Sequence, residues 1–327
     1  MWAFLYPTIS IPLSFALTYA FMPWVIESLK KKGLVGKDMN KKDKPKIPTI
    51  GGIGITIGYF AGMLLSIGAF LENSAIAFKI MAALSSILFI TLLGFMDDIF
   101  DIRQIVKAIL PIFAALPLVV ARAGETSMGI PLIGKVDFGV VYTLIFIPIG
   151  FTVGANLPNM LAGYNGLEGG MALILIIFLS IASILSDHLA TFVILAPLIG
   201  SLSAFLIFNK FPSKVFPGNV GTYVIGAVIT SSVIVGNMER AGIIIFLPFA
   251  VEFFIKLKGR FKGSCFAKEV KENGILIPPE KPESLIHYVL KMKPMNEKKL
   301  VEFFWTIAVI FGALALIDVL ISAEIIT

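Results

Sequence analysis

Residues 78–107 read FKIMAALSSILFITLLGFMDDIFDIRQIVK. From Phe78 to Met96 the only charge is Lys79, and the run is close to the ~20 apolar residues that cross a bilayer. Asp97, Asp98, Asp101, Arg103 and Lys107 then follow in close succession. An apolar span ending in a charged boundary is the unit from which the rest of the chain is built. Of the 327 residues, 57% are apolar, about 186, and only 15% are charged. A soluble domain carries roughly 25% charge. This composition excludes a soluble enzyme, a disordered chain and an extracellular disulfide scaffold. The apolar runs are continuous rather than alternating, which excludes an outer-membrane barrel. The predicted class is an all-α integral membrane protein forming one multi-pass domain.

Ten spans are predicted: Trp2–Val25, Thr49–Leu71, Phe78–Met96, Ile105–Ala121, Val140–Ala155, Met171–Leu185, Leu189–Phe208, Val220–Val235, Ala241–Ile255 and Leu300–Ile321. The first has no basic residue ahead of it and no small-residue cleavage pattern, so it reads as a retained span. Eight lysines fall in loop 27–48 and eleven Lys or Arg in loop 256–299. Two more basic residues lie in each of the breaks around 97–107 and 209–218. The positive-inside rule puts these loops in the cytoplasm of a cell-membrane protein, with both termini outside. The net charge of +6 therefore reads as membrane topology, and no nucleic-acid partner is expected. Ser127–Gly139, on the other side, alternates around Gly134 and suggests a short extramembrane hairpin. The single Cys265 and the distant His188 and His287 make a Cys/His metal site improbable. Any metal would be held by oxygen, as Mg²⁺, Mn²⁺ or Ca²⁺ are.

Four polar clusters share the basic face. In the first, Asp97, Asp98 and Asp101 sit at a membrane boundary, where carboxylates are expensive to leave without a role. If helical, Asp97 and Asp101 repel at i, i+4 unless a cation or a basic group lies between them. Arg103 and Lys107 could hold phosphate. The second, Asn156–Gly170, packs three asparagines, Glu168 and four glycines between two spans. Asparagines coordinate hard cations or read a base edge, and glycines admit a ligand against backbone. In the third, Asn209–Thr222, two lysines and aromatics precede Asn219 at a helix start, a place that favours anions. The fourth, Lys256–Gly263, can clamp a diphosphate or meet lipid headgroups. Together they point to metal-assisted phosphoryl chemistry between a phosphate-bearing soluble substrate and a lipid.

The order and spacing of four motifs resemble the polyprenyl-phosphate N-acetylhexosamine-1-phosphate transferase family. These motifs are Pro45–Gly52, Gly94-Phe95-Met96-Asp97-Asp98, Asn156–Gly170 and Pro212–Gly221. Asn159–Glu168 and Lys293-Pro294-Met295-Asn296-Glu297 look most like the eukaryotic and archaeal branch. Bacterial cell-wall members usually carry aspartates where Ala162 and Asn165 stand. The resemblance implies transfer of a sugar 1-phosphate, with GlcNAc the leading sugar, from a UDP-sugar to a polyprenyl or dolichyl phosphate, releasing UMP. It implies Mg²⁺ dependence, and it leaves a homodimer open. It casts Asp97 and Asp98 as the catalytic carboxylates and Asn159 and Asn219 as metal ligands. The substrate-binding set is Lys107, Gly163, Asn165, Glu168, Phe216, Arg260 and Lys262. One departure stands out: the family usually has an aspartate where Asn219 lies. A lipid phosphate has a second pKa near ~6, so a carboxylate is needed more for positioning than as a base.

Two other readings are weaker. Asp97-Asp98-Ile99-Phe100-Asp101 also fits the DDxxD motif of membrane prenyltransferases, but no second aspartate-rich motif exists. A transporter would place ionisable residues at the bilayer midplane. The in-span candidates, Glu252 and Asp318, lie near span ends.

Overall fold

The computed structural model describes residues 2–100, 102–130, 133–261 and 263–326. It is a helical bundle: α1 (Trp2–Lys31), α2 (Gly52–Ser66), α3 (Ser74–Phe100), α4 (Gln104–Ala114), α5 (Leu116–Val120), α6 (Ile147–Leu161), α7 (Leu167–Leu185), α8 (Leu189–Asn209), α9 (Gly218–Val235), α10 (Glu239–Lys258), α11 (Leu285–Met292) and α12 (Glu297–Ile326). Among the described residues, eight helices are long and apolar enough to cross a membrane. They match eight of the ten predicted spans. The other two deviate for visible reasons. The span expected over Ile105–Ala121 divides into α4 and α5, with Pro111 inside α4 and Pro117 at the first turn of α5. Proline removes a helical donor and clashes with the preceding turn, so the run bends. The ninth, expected over Ala241–Ile255, is α10, which is 20 residues long but carries Glu239, Arg240, Glu252, Lys256 and Lys258.

The bundle is organised around α9. Nearly all of it is buried, against α2, α3, α6 and α8. Small residues permit this. A Cβ on Gly94 of α3 would stand 2.8 Å from the Val220 Cα of α9, so only glycine lets the two backbones meet there. The same close approach carries Asp97 and Asp98, one turn further on, to the start of α9.

Three two-stranded antiparallel sheets decorate the ends. The predicted hairpin is present as β3 (Ser127–Ile130) and β4 (Gly134–Asp137), registered Ser127 to Asp137. The lysine-rich loop 27–48 holds a second pair, β1 (Val35–Lys37) and β2 (Lys46–Pro48). The loop after α10 holds a third, β5 (Glu269–Val270) and β6 (Leu276–Ile277). Neither of the last two is signalled by alternation, because each strand has only two or three residues.

Candidate active site

Asp97 and Asp98 lie in the last turn of α3, adjacent in sequence but turned to different tasks. Asp98 accepts the backbone N–H groups of Asn219 at 2.8 Å and Val220 at 3.0 Å, so its carboxylate caps α9 from another helix. The N-terminus of α9 has no side-chain cap of its own. Its exposed N–H groups and positive dipole end therefore meet an anion. Asp97 is 3% exposed. Its Oδ1 lies 2.8 Å from Lys107 Nζ and accepts the Ile102 N–H at 3.0 Å. Its Oδ2 is buried with no hydrogen-bond partner in the protein. Asp97 and Lys107 share a crevice with Tyr223 of α9.

Beside this pair is a cavity of about 320 Å³. Asp98, Asn159, Gly163, Glu168, Phe216 and Asn219 all line it, so six of the predicted site residues, from three of the four polar clusters, converge. Glu168 sits in the first turn of α7, and its Oε2 is buried and unpartnered. Phe216 is fixed by backbone contacts with the Pro45–Gly52 motif. Its N–H donates to Pro48 O, its carbonyl accepts from the Gly51 N–H, and Gly52 N–H donates to Pro217 O, each at 2.8 Å. The motif that looks like a plain Pro/Gly turn is thus the edge that holds the aromatic wall. Gly163 has φ +140°, and a Cβ there would stand 2.8 Å from Cys265 Sγ and 3.0 Å from the Phe266 ring. Glycine is required on both counts.

Other predicted residues lie elsewhere. Asn165 is 2% exposed, and its side chain is fully engaged within the protein. Arg260 follows α10 with φ +52°, is exposed, and is not among the residues lining the cavity. Lys262, and Asp101 of the acidic cluster, lie outside the described residues. The cavity wall also includes Thr49, from the Pro45–Gly52 motif, and Lys37, Asp38 and Phe266, which lie in none of the motifs. Cys265, behind Gly163, donates its thiol to Ala162 O, and burial pushes its pKa up to about 11.

The fit to a divalent cation can be judged from the donors. Among the described residues no three His, Cys, Asp or Glu side chains form a metal cluster. Both Asp98 oxygens already face backbone N–H groups. The cavity offers oxygen donors from Asn159, Asn219 and Glu168, a hard set without sulfur or imidazole. That chemistry suits Mg²⁺, which usually keeps waters and takes part of its shell from substrate phosphates.

Sequence relatives show which family the chain belongs to. Residues 80–237 match the model of glycosyl transferase family 4. A Saccharolobus solfataricus protein is 44% identical over 94% of this chain and 95% of its own. It carries a provisional description as a UDP-N-acetylglucosamine–dolichyl-phosphate N-acetylglucosaminephosphotransferase. The Dictyostelium discoideum enzyme of that name is 31% identical over 75% of this chain and 70% of its own. A phospho-N-acetylmuramoyl-pentapeptide-transferase of Dictyoglomus thermophilum is 29% identical over 93% of this chain and 96% of its own. The chain therefore belongs to glycosyl transferase family 4, the membrane glycosyl-phosphate transferases that its loop motifs resemble, on the archaeal and eukaryotic side.

Proposed function

We propose that this enzyme transfers GlcNAc 1-phosphate from UDP-GlcNAc to a dolichyl-type polyprenyl phosphate, giving a lipid-linked sugar diphosphate and UMP. The reaction runs on the cytoplasmic face, with both termini outside. The observation that carries this reading is the convergence of Asn159, Gly163, Glu168, Phe216, Asn219 and Asp98 on one cavity beside the Asp97–Lys107 pair. The names of the relatives supply the substrates, and the basic loops supply the orientation.

In the reaction, an oxygen of the lipid phosphate attacks the sugar-bearing phosphorus of the UDP-sugar. The new P–O bond forms as the bond from that phosphorus to the bridging oxygen breaks, and UMP leaves with the electron pair. Lys107 offers its ammonium to the phosphate oxygens, and Asp97 holds that ammonium in place from below. Asp98 fixes the start of α9 and hence Asn219. Phe216 offers a ring face on which a nucleobase can stack. Asn159 and Asn219 would hold Mg²⁺, with Mn²⁺ as an alternative, and the bound cation would neutralise diphosphate charge. With asparagine rather than aspartate at 219, the cation depends more on the diphosphate for its anionic ligands.

The test is purified protein with dolichyl phosphate, Mg²⁺ and a panel of radiolabelled UDP-sugars. Labelled lipid diphosphate and stoichiometric UMP are expected with UDP-GlcNAc. UMP release without lipid labelling, or no turnover with any sugar, refutes the proposal.

A further inference from the structure

Glu297 belongs to the Lys293–Glu297 motif and has no part in the chemistry above. It heads α12, yet it is only 3% exposed. Its Oε1 accepts the Asn165 backbone N–H at 2.8 Å and the Asn165 side-chain amide at 2.5 Å. The same amide nitrogen donates to Asp38 Oδ2 at 3.0 Å, and Asn165 Oδ1 accepts the Ser213 N–H at 2.7 Å. One asparagine therefore ties together the loop after β1, the turn 162–166, the loop before α9 and the start of α12.

The charges are balanced locally. Lys41 forms a close ion pair with Glu297, lies 3.3 Å from Asp38 Oδ2, and stands 4.4 Å from the Phe211 ring centroid. The turn is gripped at its other points as well. Asn40 Nδ2 donates to Gly163 O at 2.8 Å, and Trp305 Nε1 of α12 donates to Gly166 O at 3.1 Å. Asp38, Gly163 and Tyr164 then form cavity wall.

We propose that Glu297 and Asp38 are positioning residues for the nucleotide end of the cavity, acting through Asn165. The assignment rests on the UDP-sugar reading above. Asn165 spends both amide protons on carboxylates and its carbonyl on a backbone N–H, so its side chain shapes the wall rather than reading the ligand. Breaking such a network leaves buried polar groups unpaired, which is why its loss is felt at the turn. The cluster also selects asparagine at 165, since an aspartate would face two carboxylates and donate to neither.

The test measures UDP affinity by calorimetry on the purified full chain, alongside KM and kcat. Glu297→Ala should weaken UDP binding and raise KM for the UDP-sugar tenfold or more. KM for dolichyl phosphate and kcat should stay within about twofold. Glu297→Gln, which keeps one acceptor, should recover part of the loss, and Asp38→Ala, which removes the other carboxylate acceptor of the Asn165 amide, should repeat it if Glu297→Ala does not fold. UDP affinity unchanged in these variants, or a fall in kcat with KM unmoved, overturns the assignment. Failure of the wild-type protein to bind UDP instead removes the nucleotide reading itself.

Discussion

Asp98→Ala should destabilise the protein as well as inactivate it. The carboxylate accepts two backbone N–H groups at the start of α9, at 2.8 and 3.0 Å. Hydrogen bonds to a charged group contribute about 1.5–3 kcal/mol each. Charge at a helix N-terminus adds about 0.3–1 kcal/mol. Asp98 is only half-buried, so water would reach the freed N–H groups and recover part of this. A net loss of roughly 2–4 kcal/mol remains after that recovery. For a chain this long, each kcal/mol lowers the melting temperature by about 2 °C, so a drop of roughly 4–8 °C is expected. Circular dichroism melting of the detergent-purified protein reads it directly. Asp98→Asn, with one acceptor kept, should fall between the two. An Asp98→Ala protein that melts within about 1 °C of wild type, while losing activity, would refute the capping argument and leave Asp98 a purely chemical role.

Two further outcomes are expected. Asn219→Asp should lower the Mg²⁺ concentration for half-maximal rate, because it adds an anionic ligand at the cavity wall; an unchanged Mg²⁺ titration would mean the cation is held elsewhere. The Cys265 thiol, held at about 11 by burial, is almost entirely protonated at pH 8. Burial disfavours the thiolate, so alkylation of the native protein should run roughly a hundredfold or more slower than of the unfolded chain, as read by mass spectrometry. Equal rates would show that the loop over Gly163 is open in solution.

How much of this was legible in the sequence varies by kind of residue. Spans such as Phe78–Met96 announce themselves because continuous apolar surface has no other home. The proline pair Pro111 and Pro117 was visible too, but an apolar run counted as one span conceals where it bends. The loops holding Asn159, Phe216 and Asn219 stood out because they carry more polar and glycine residues than a turn needs, and the family resemblance picked these residues out of them. Asp38, Glu297 and Phe266 gave no such signal. Asp38 was lost among eight lysines, and Glu297 stood only as the last residue of a motif that marks the branch, with no role attached to it. Their roles come from packing between distant segments, which no local spacing encodes. The asparagine at 165 was found for its type, but only its two carboxylate neighbours reveal what its amide is doing.

The link between Lys41 and Glu297 spans 256 positions of chain. During synthesis, Asp38, Asn165 and the loop before α9 emerge and meet long before Glu297 does. Until α12 leaves the ribosome and enters the bilayer, two carboxylate-seeking amide protons and one lysine have only a single partner among them. The cavity is therefore finished only when α12 arrives, so a chain stopped short of that helix would sit in the membrane with most of its spans and an unlatched site.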